Sequence, residues 1–214
     1  KPEKVFCSPM GEKAMKAHYH YTDWPVEAVK SGQTLSLGSR TVHFLETRML
    51  HWPDSMFSYL AEDKVLISSD AFGHHWATSE RFDDQVDQGE LMRHCAKYYA
   101  NILMPFGGQI QKMLAKIQDL GLEIDVIGPS HGAIWRTPED VQRIVAAYAQ
   151  WSAFEAPERV SLIFDTMWHS TEQMTLAIAD GVTQEGVDCS VLGLSVNSRA
   201  ETAHMILESS AFLV

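Results

Sequence analysis

Two histidines and one aspartate stand where the chain leaves predicted strands. His51, Asp70 and His131 each come at or just after the end of a short apolar run. Binding sites in open α/β sheets gather at such strand ends. Imidazole nitrogen and carboxylate oxygen together suit iron, zinc or manganese, and an aspartate has two oxygens with which it can bridge two ions. The pattern therefore favours a metal site with Asp70 between the two histidines.

Each of these residues also has an ordinary structural interpretation. A histidine after a strand is commonly a hydrogen-bonded turn residue, and "SSD" before a helix is commonly an N-cap. The string "PSHG" forms a good turn without any metal. Three ligands would also leave a two-metal site under-coordinated. Residue spacing therefore leaves both interpretations open.

The other histidines carry a weaker signal. His18 and His20 in "HYH" would share one strand face, where solvent exposure is favoured over chelation. His74 and His75 come shortly after Asp70, and we expect them to support or line the pocket, or to lie at the surface, rather than to bind metal. Structural or exposed roles are expected for three others: His43, His94 and His204.

A second candidate site is a loop between a predicted strand over residues 160–166 and a predicted helix over 171–182. It consists of Thr166, Met167, Trp168, His169, Ser170 and Thr171. Hydroxyl groups and the free N–H groups at a helix start together form an anion site. The loop has neither a dinucleotide-binding nor a P-loop motif, which favours the phosphate of FMN.

The alternative for this loop is an ordinary capped helix, in which Ser170 and Gln173 form a capping box. Trp168 beside the loop could pack near a flavin or cover the sheet edge. The residues alone do not choose between the two interpretations.

The elements around these sites predict an α/β protein, since strands alternate with helices. Strands are predicted over residues 41–47, 64–70 and 123–132. Helices are predicted over 90–104, closed by Pro105, over 109–121, and over 137–151 with Thr137 as the N-cap. Residues 155–159 read as a linker, which predicts two domains, residues 1–157 and 158–214.

Composition excludes several classes of function. The 214 residues carry a net charge of −11, which argues against nucleic acid or an anionic membrane as a partner. No apolar run is long enough to span a membrane, and the first residues lack the apolar core of a signal peptide. Three scattered cysteines argue against a disulfide framework and favour a reducing compartment, the cytoplasm. The last residues, "AFLV", read as the start of a buried strand, as expected of an internal fragment.

Four segments together resemble the flavodiiron proteins, also called A-type flavoproteins. They are "ETRMLHWPDSMFSYLAEDKVLISSDAFGHH", "YYANILMPF", "GPSHGAIWR" and "IFDTMWHSTEQM", in the family's order. The resemblance implies the C-terminal part of a metallo-β-lactamase-like αββα domain, followed by the start of a flavodoxin-like, doubly wound parallel sheet. It implies a diiron site in which His51 binds one iron, His131 binds the other and Asp70 bridges them. It also implies that residues 166–171 hold the phosphate of FMN.

The resemblance further implies an activity for the intact protein. Electrons would pass from rubredoxin or a similar small donor through FMN to two irons, which reduce O2 to water, NO to N2O, or both. A head-to-tail homodimer or a tetramer is expected, because this arrangement brings the flavin of one subunit to the irons of another. The family's first metal motif, His-x-Glu-x-Asp-His, does not occur in this sequence. A metallo-β-lactamase-fold hydrolase and a flavin-only electron-transfer fragment are the alternatives.

Overall fold

The computed structural model describes residues 2–20 and 23–214, and ten strands and six α-helices lie in these two ranges. The strands are β1 Val5–Cys7, β2 Val26–Ala28, β3 Thr34–Ser36, β4 Thr41–Glu46, β5 Met56–Leu60, β6 Val65–Ile67, β7 Val126–Gly128, β8 Arg159–Phe164, β9 Asp188–Gly193 and β10 Ala211–Leu213. The helices are α1 Pro9–Tyr19, α2 Gln88–Tyr98, α3 Gly107–Asp119, α4 Pro138–Ser152, α5 Ser170–Gln184 and α6 Arg199–Leu207.

The larger sheet has five strands in the order β3-β4-β5-β6-β7. Pairs from β3 to β6 are antiparallel, whereas β6 and β7 are parallel. Because β5 is antiparallel to both β4 and β6, the strands β4, β6 and β7 point the same way and end at one edge. The predicted strands over 64–70 and 123–132 are present but shorter, so Asp70 and His131 lie in the loops that follow β6 and β7.

The largest buried cluster combines this sheet with helices α2, α3 and α4. Its centre is aromatic: the ring of Phe72 lies 6.4 Å from that of Phe57 and 4.5 Å from that of Tyr148, and Tyr148 lies 5.2 Å from Tyr99. Such offset and edge-to-face contacts add to the free energy gained by burying the rings. Phe57 and Phe72 therefore tie the sheet and the loop after β6 to the helices.

Helices α2 and α3 belong to one continuous helical path. The helix predicted to run to Met104 ends as an α-helix at Tyr98, and the path continues through a π-helical turn, Tyr99–Leu103, and a 3-10 turn, Met104–Phe106. Pro105 does not end the path, because it lies in the first turn of the 3-10 segment, where its missing N–H is not needed. The helix predicted over 109–121 is α3, which begins two residues earlier and ends before Gly121.

Helix α4 begins at Pro138 as predicted, with Thr137 in the N-cap position, but the Thr137 side chain makes no capping hydrogen bond. Instead the backbone N–H groups of Arg136 and Thr137 donate to Oδ2 of Asp83, at 3.2 and 3.1 Å. Asp83 is fully buried. A buried carboxylate from the 3-10 turn Asp83–Gln85 therefore holds the two residues that precede α4.

The smaller sheet is parallel, with the order β10-β8-β9 and crossovers through α5 and α6. In chain order this is a 2-1-3 arrangement, the order in which a flavodoxin-like, doubly wound sheet begins. The chain adds β9 on one side of β8 and then β10 on the other side. Because the two right-handed crossovers run in opposite directions across the sheet, α5 and α6 cover opposite faces of it. The α/β class and the mixture of an antiparallel-rich and a parallel sheet agree with the fold class expected from the sequence.

Two local expectations were wrong. His18 and His20 do not share a strand face, because "HYH" ends helix α1 and His20 is its left-handed C-cap; both side chains are exposed. The strand at "AFLV" forms as β10, but Phe212 and Leu213 are 56% and 50% exposed rather than buried. Within the described ranges, no helix has the length and apolar character needed to cross a membrane.

Candidate metal centre

The structure brings His51, Asp70 and His131 together at the edge where β4, β6 and β7 end. Nε2 of His51 lies 3.4 Å from Oδ2 of Asp70, and Nε2 of His131 lies 3.7 Å from Oδ1. Each histidine thus faces a different oxygen of the same carboxylate. The side chains are 26%, 19% and 32% exposed, so the group is open to small molecules from one side.

The donors fit two metal positions, each with one imidazole nitrogen and one carboxylate oxygen, a set that iron, zinc and manganese accept. No three or more His, Cys, Asp and Glu side chains form a complete metal-binding group in residues 2–20 and 23–214. The arrangement is therefore two neighbouring pairs that share Asp70, and each pair leaves coordination positions to other ligands.

The loop after β6 holds Asp70 in a fixed conformation. Ser69 and Phe72, on either side of it, have left-handed backbones with φ of 53° and 66°. The Phe72 N–H donates to the hydroxyl of Tyr148 at 2.7 Å, and the indole N–H of Trp135 donates to the Phe72 carbonyl at 2.9 Å. Such conformations persist where surrounding contacts determine them. Two fully buried aromatic residues supply those contacts here.

Hydrogen bonds also connect this loop to the loop after β7. The Ser130 hydroxyl donates to Oδ1 of Asp70 at 2.8 Å, and the Ser130 N–H donates to the Ser69 carbonyl at 2.6 Å. Nδ1 of His131 lies 3.2 Å from the His74 carbonyl. A histidine that donates from one ring nitrogen to a carbonyl keeps the other nitrogen free for a metal. His131 has this arrangement, with Nε2 toward Asp70.

The loop between β4 and β5 presents His51. The N–H of Met49, whose φ is 68°, donates to the carbonyl of Trp52 at 2.8 Å, and the Leu50 N–H donates to the carbonyl of Thr47 at 3.0 Å. Leu50 is buried in the core, which anchors the turn. The Trp52 ring is 60% exposed and lies 5.5 Å from the imidazole of His51, so it borders the group without covering it.

His74 and His75 are placed differently from one another. His74 is 2% exposed, and burial, assisted by neighbouring histidines, lowers its pKa to about 4, so its ring is uncharged at neutral pH. His75 is exposed, and its ring lies 4.9 Å from His131 and 4.8 Å from Tyr98. Burial raises the pKa of the Tyr98 phenol well above its usual value. The ion pairs of Asp70 are with His51 and His131, not with His74 or His75.

The three histidines expected to be structural or exposed lie away from Asp70. His43 is half-buried on β4, 6.2 Å from the ring of Tyr59. His94 stacks on Trp76 with its ring nearly parallel, at 5.1 Å. His204 is buried on α6 between Glu201 and Glu208, at 3.6 and 3.2 Å.

The loop after β8 has an orphaned polar atom. The hydroxyl of Thr166 is buried and has no hydrogen-bond partner among the residues that the structure describes. Met167 and Trp168 are both 83% exposed, so Trp168 does not cover the sheet edge here. His169 has a left-handed backbone, and its Nδ1 lies 2.6 Å from the Glu172 carboxylate. A buried hydroxyl without a partner at the end of β8 fits a bound polar group.

The capping box of Ser170 and Gln173, one of the two alternatives for this loop, does not form. Helix α5 begins at Ser170, so Ser170 is the first helical residue and His169 is the N-cap, with no side-chain capping bond. The left-handed conformation of His169 turns the chain into the helix one residue earlier than the hydroxyl pattern suggests. The N–H groups of the first turn therefore lack the expected side-chain acceptor.

Sequence reasoning missed the residues that hold the metal-binding candidates in place. These are Ser130, Tyr148 and Trp135, whereas a supporting position was among those expected for His74. The glycines Gly73 and Gly132 beside the two histidine loops were a usable signal, because a Cβ at either would lie 2.7 Å from an atom of the opposite loop. The long-range partners of Phe72 had no local signal.

Comparisons with known proteins agree with this architecture. The model of the family described as "ODP family beta lactamase" matches residues 3–132. A curated relative named nitric oxide reductase, from Moorella thermoacetica, is 47% identical over 210 residues, which cover 98% of this chain and 52% of the relative. The chain spans about half the length of the curated relatives it matches.

Two solved structures are similar throughout the chain. The rubredoxin oxygen:oxidoreductase of Desulfovibrio gigas superimposes with a TM-score of 0.95 at 42% identity, covering 99% of this chain and 53% of its own. The flavodiiron protein from Giardia intestinalis has a TM-score of 0.88 at 33% identity, covering 94% and 49%. The chain is thus similar over nearly its whole length to part of a flavodiiron protein, and it belongs to the family described as ODP family beta lactamase.

Proposed function

We propose that this chain is part of a flavodiiron oxidoreductase that reduces O2 to water, NO to N2O, or both. The observation that carries the proposal is the shared carboxylate, since Asp70 offers one oxygen toward His51 and the other toward His131. The names of its relatives, nitric oxide reductase and rubredoxin oxygen:oxidoreductase, support the two substrates.

In this proposal His51 and Asp70 would hold one iron, and His131 and Asp70 would hold the other. When bound, the irons would supply electrons and open coordination positions for O2 or NO. Asp70 sets the spacing of the two positions, and the Ser130 hydroxyl fixes the orientation of the carboxylate. The His74 carbonyl holds the proton on Nδ1 of His131 and keeps Nε2 free.

The proposed flavin site is the loop after β8, residues 166–171, with the phosphate at the start of α5. FMN supplies storage of electron pairs taken singly from a donor. The orphaned Thr166 hydroxyl and the free N–H groups of the first turn of α5 supply hydrogen bonds to a phosphate. The loop stands at the carboxyl end of β8, where the strand order reverses and such sheets bind ligands. We propose the same division as the sequence predicts, residues 1–157 for the diiron domain and 158–214 for the FMN domain.

The electron donor proposed is rubredoxin or a similar small protein, because rubredoxin is part of the name of the similar protein from Desulfovibrio gigas. Head-to-tail pairing of subunits, as a dimer or tetramer, belongs to the same proposal. The cytoplasm is the proposed location, supported by three free thiols, Cys7, Cys95 and Cys189.

The test is elemental analysis and absorbance of the full-length protein that contains this chain. Two irons and one FMN per subunit, with O2 or NO consumed when reduced rubredoxin is added, are expected. Zinc without flavin absorbance would instead favour a metallo-β-lactamase-fold hydrolase. Flavin without iron would favour an electron-transfer module, so each result selects one class.

A further inference from the structure

His74 is the most enclosed imidazole near the candidate metal centre, and its contacts lie on the His131 loop. Its Nε2 accepts a hydrogen bond from the Ala133 N–H at 2.9 Å, while Nδ1 lies 3.2 Å from the Trp76 N–H. An uncharged imidazole has a single acceptor nitrogen. The shorter contact, at 2.9 Å against 3.2 Å, is the one to Ala133, so Nε2 is the ring nitrogen that joins His74 to the opposite loop.

The two loops interlock around a pair of glycines. A Cβ on Gly132 would lie 2.7 Å from Cδ2 of His74 and 2.9 Å from its Nε2. A Cβ on Gly73 would lie 2.7 Å from the His131 carbonyl oxygen and 3.0 Å from two atoms of its ring. Each histidine therefore packs on the glycine next to the other, and moving one ring moves the opposite backbone.

We propose that His74 is a positioning residue, whose buried ring, by accepting the Ala133 N–H, fixes the 131–133 backbone so that Nε2 of His131 faces Asp70. The inference rests on the proposed function for the identity of the metal site. His74 touches no substrate or metal; it acts through His131. Its carbonyl holds Nδ1 of His131, so the ring and the backbone of one residue fix the loop and the ligand together.

Three substitutions of His74 can test whether the acceptor at the position of Nε2 is what fixes the 131–133 backbone. In His74→Gln the amide oxygen reaches the position of Nε2, whereas in His74→Asn it reaches only that of Nδ1. His74→Leu keeps the bulk and removes both acceptors. Loss of an outer-shell partner typically weakens metal binding about 10–100-fold. We expect this loss in His74→Leu and His74→Asn, and near wild-type affinity in His74→Gln.

The experiment is an anaerobic iron titration of the full-length protein and its three variants against a chelator, combined with hydrogen exchange of the peptide spanning residues 129–136. Exchange should accelerate in the Leu and Asn variants and not in the Gln variant. Wild-type affinity in His74→Leu, or equal behaviour of Asn and Gln, would overturn the inference. If the wild type bound no iron, the proposed function would fail, and exchange at 129–136 would still decide the role of His74.

Discussion

The hydroxyl of Tyr148 accepts a hydrogen bond from the backbone N–H of Phe72 at 2.7 Å, across 76 positions of sequence. Tyr148 is fully buried, and Phe72 lies two residues after Asp70 in a left-handed conformation. The neighbouring Tyr99 is equally buried, but its hydroxyl has no partner within the described ranges. Two adjacent tyrosines thus differ in whether their hydroxyl supports the candidate site.

Tyr148→Phe should lower the free energy of unfolding by about 1–3 kcal/mol, because it leaves the Phe72 N–H buried without an acceptor. Tyr99→Phe is the matched control and should be neutral or slightly stabilising. Chemical denaturation of both variants measures the difference. Equal effects of the two substitutions would show that the Phe72 hydrogen bond is not what stabilises the loop.

Asp70→Ala should abolish iron binding and turnover while leaving FMN bound, because it removes the one oxygen donor that each histidine faces. Elemental analysis and flavin absorbance of the full-length variant measure both. Asp125→Ala, which removes an exposed carboxylate on the same domain, is the control. Retention of both irons in Asp70→Ala would remove the bridging role.

The meeting of Asp70 with its two histidines could be predicted for a physical reason. Short apolar runs predict strands, strands with one direction end at one edge, and the residues at those ends meet. The supports of the site could not be predicted in the same way. The bonds from Tyr148 to Phe72 and from His74 to Ala133 depend on how loops approach each other, and no local pattern encodes that approach.

The helix boundaries expected from the sequence differ from the structure where the backbone has an unusual conformation. The capping box at Ser170 does not form because His169 is left-handed, and the helical path does not stop at Pro105 because a 3-10 turn accommodates the proline. Helix propensity describes the average conformation of a residue type, so it does not predict an unusual backbone conformation at one position.

Thr166→Val should weaken FMN binding roughly three- to tenfold, which corresponds to the loss of one ordinary hydrogen bond. The same change should leave the flavin-free protein equally or more stable, because the hydroxyl it removes is buried and unpaired there. Fluorescence titration with FMN and thermal unfolding of the apoprotein give the two values. Destabilisation of the apoprotein would indicate a structural role for Thr166.

The double substitution Ser170→Ala and Thr171→Ala should also weaken FMN binding, since both hydroxyls lie in the first turn of α5. Thr183→Ala, near the opposite end of the same helix, is the control. Unchanged flavin occupancy in the double variant would exclude these hydroxyls from the phosphate site.

The stability contributed by the Lys97–Glu201 contact between α2 and α6 should depend on pH. The hydrogen bond from Lys97, at 2.7 Å, holds the pKa of Glu201 below its usual value. A carboxyl whose pKa is lower in the folded than in the unfolded protein stabilises the fold at pH values above its unfolded pKa, near 4.5. This contribution is lost as the pH falls through the folded-state pKa. Because both side chains are about one-third exposed, the gain at neutral pH is at most about 1 kcal/mol.

Glu201→Gln should therefore be less stable than the wild type at pH 7, and the difference should disappear as pH falls well below 4.5. Unfolding experiments across this range measure the difference. Glu185→Gln, an exposed residue at the end of α5, should show no such trend. A pH-independent difference between Glu201→Gln and the wild type would contradict the assignment.

The number of residues between α2 and α3, which includes the π-helical turn Tyr99–Leu103, fixes which side of α3 faces the core. Tyr98 before it faces the ring of His131, while Tyr99 faces the core ring of Tyr148. One residue corresponds to a rotation of about 100° in an α-helix. Deleting a single residue from the α-helical part on either side would therefore turn every later position of α3 away from its present neighbours. The π turn is different, because each of its hydrogen bonds closes one residue more than in an α-helix, so it is the place on this path where one residue can be lost with the register of α3 kept.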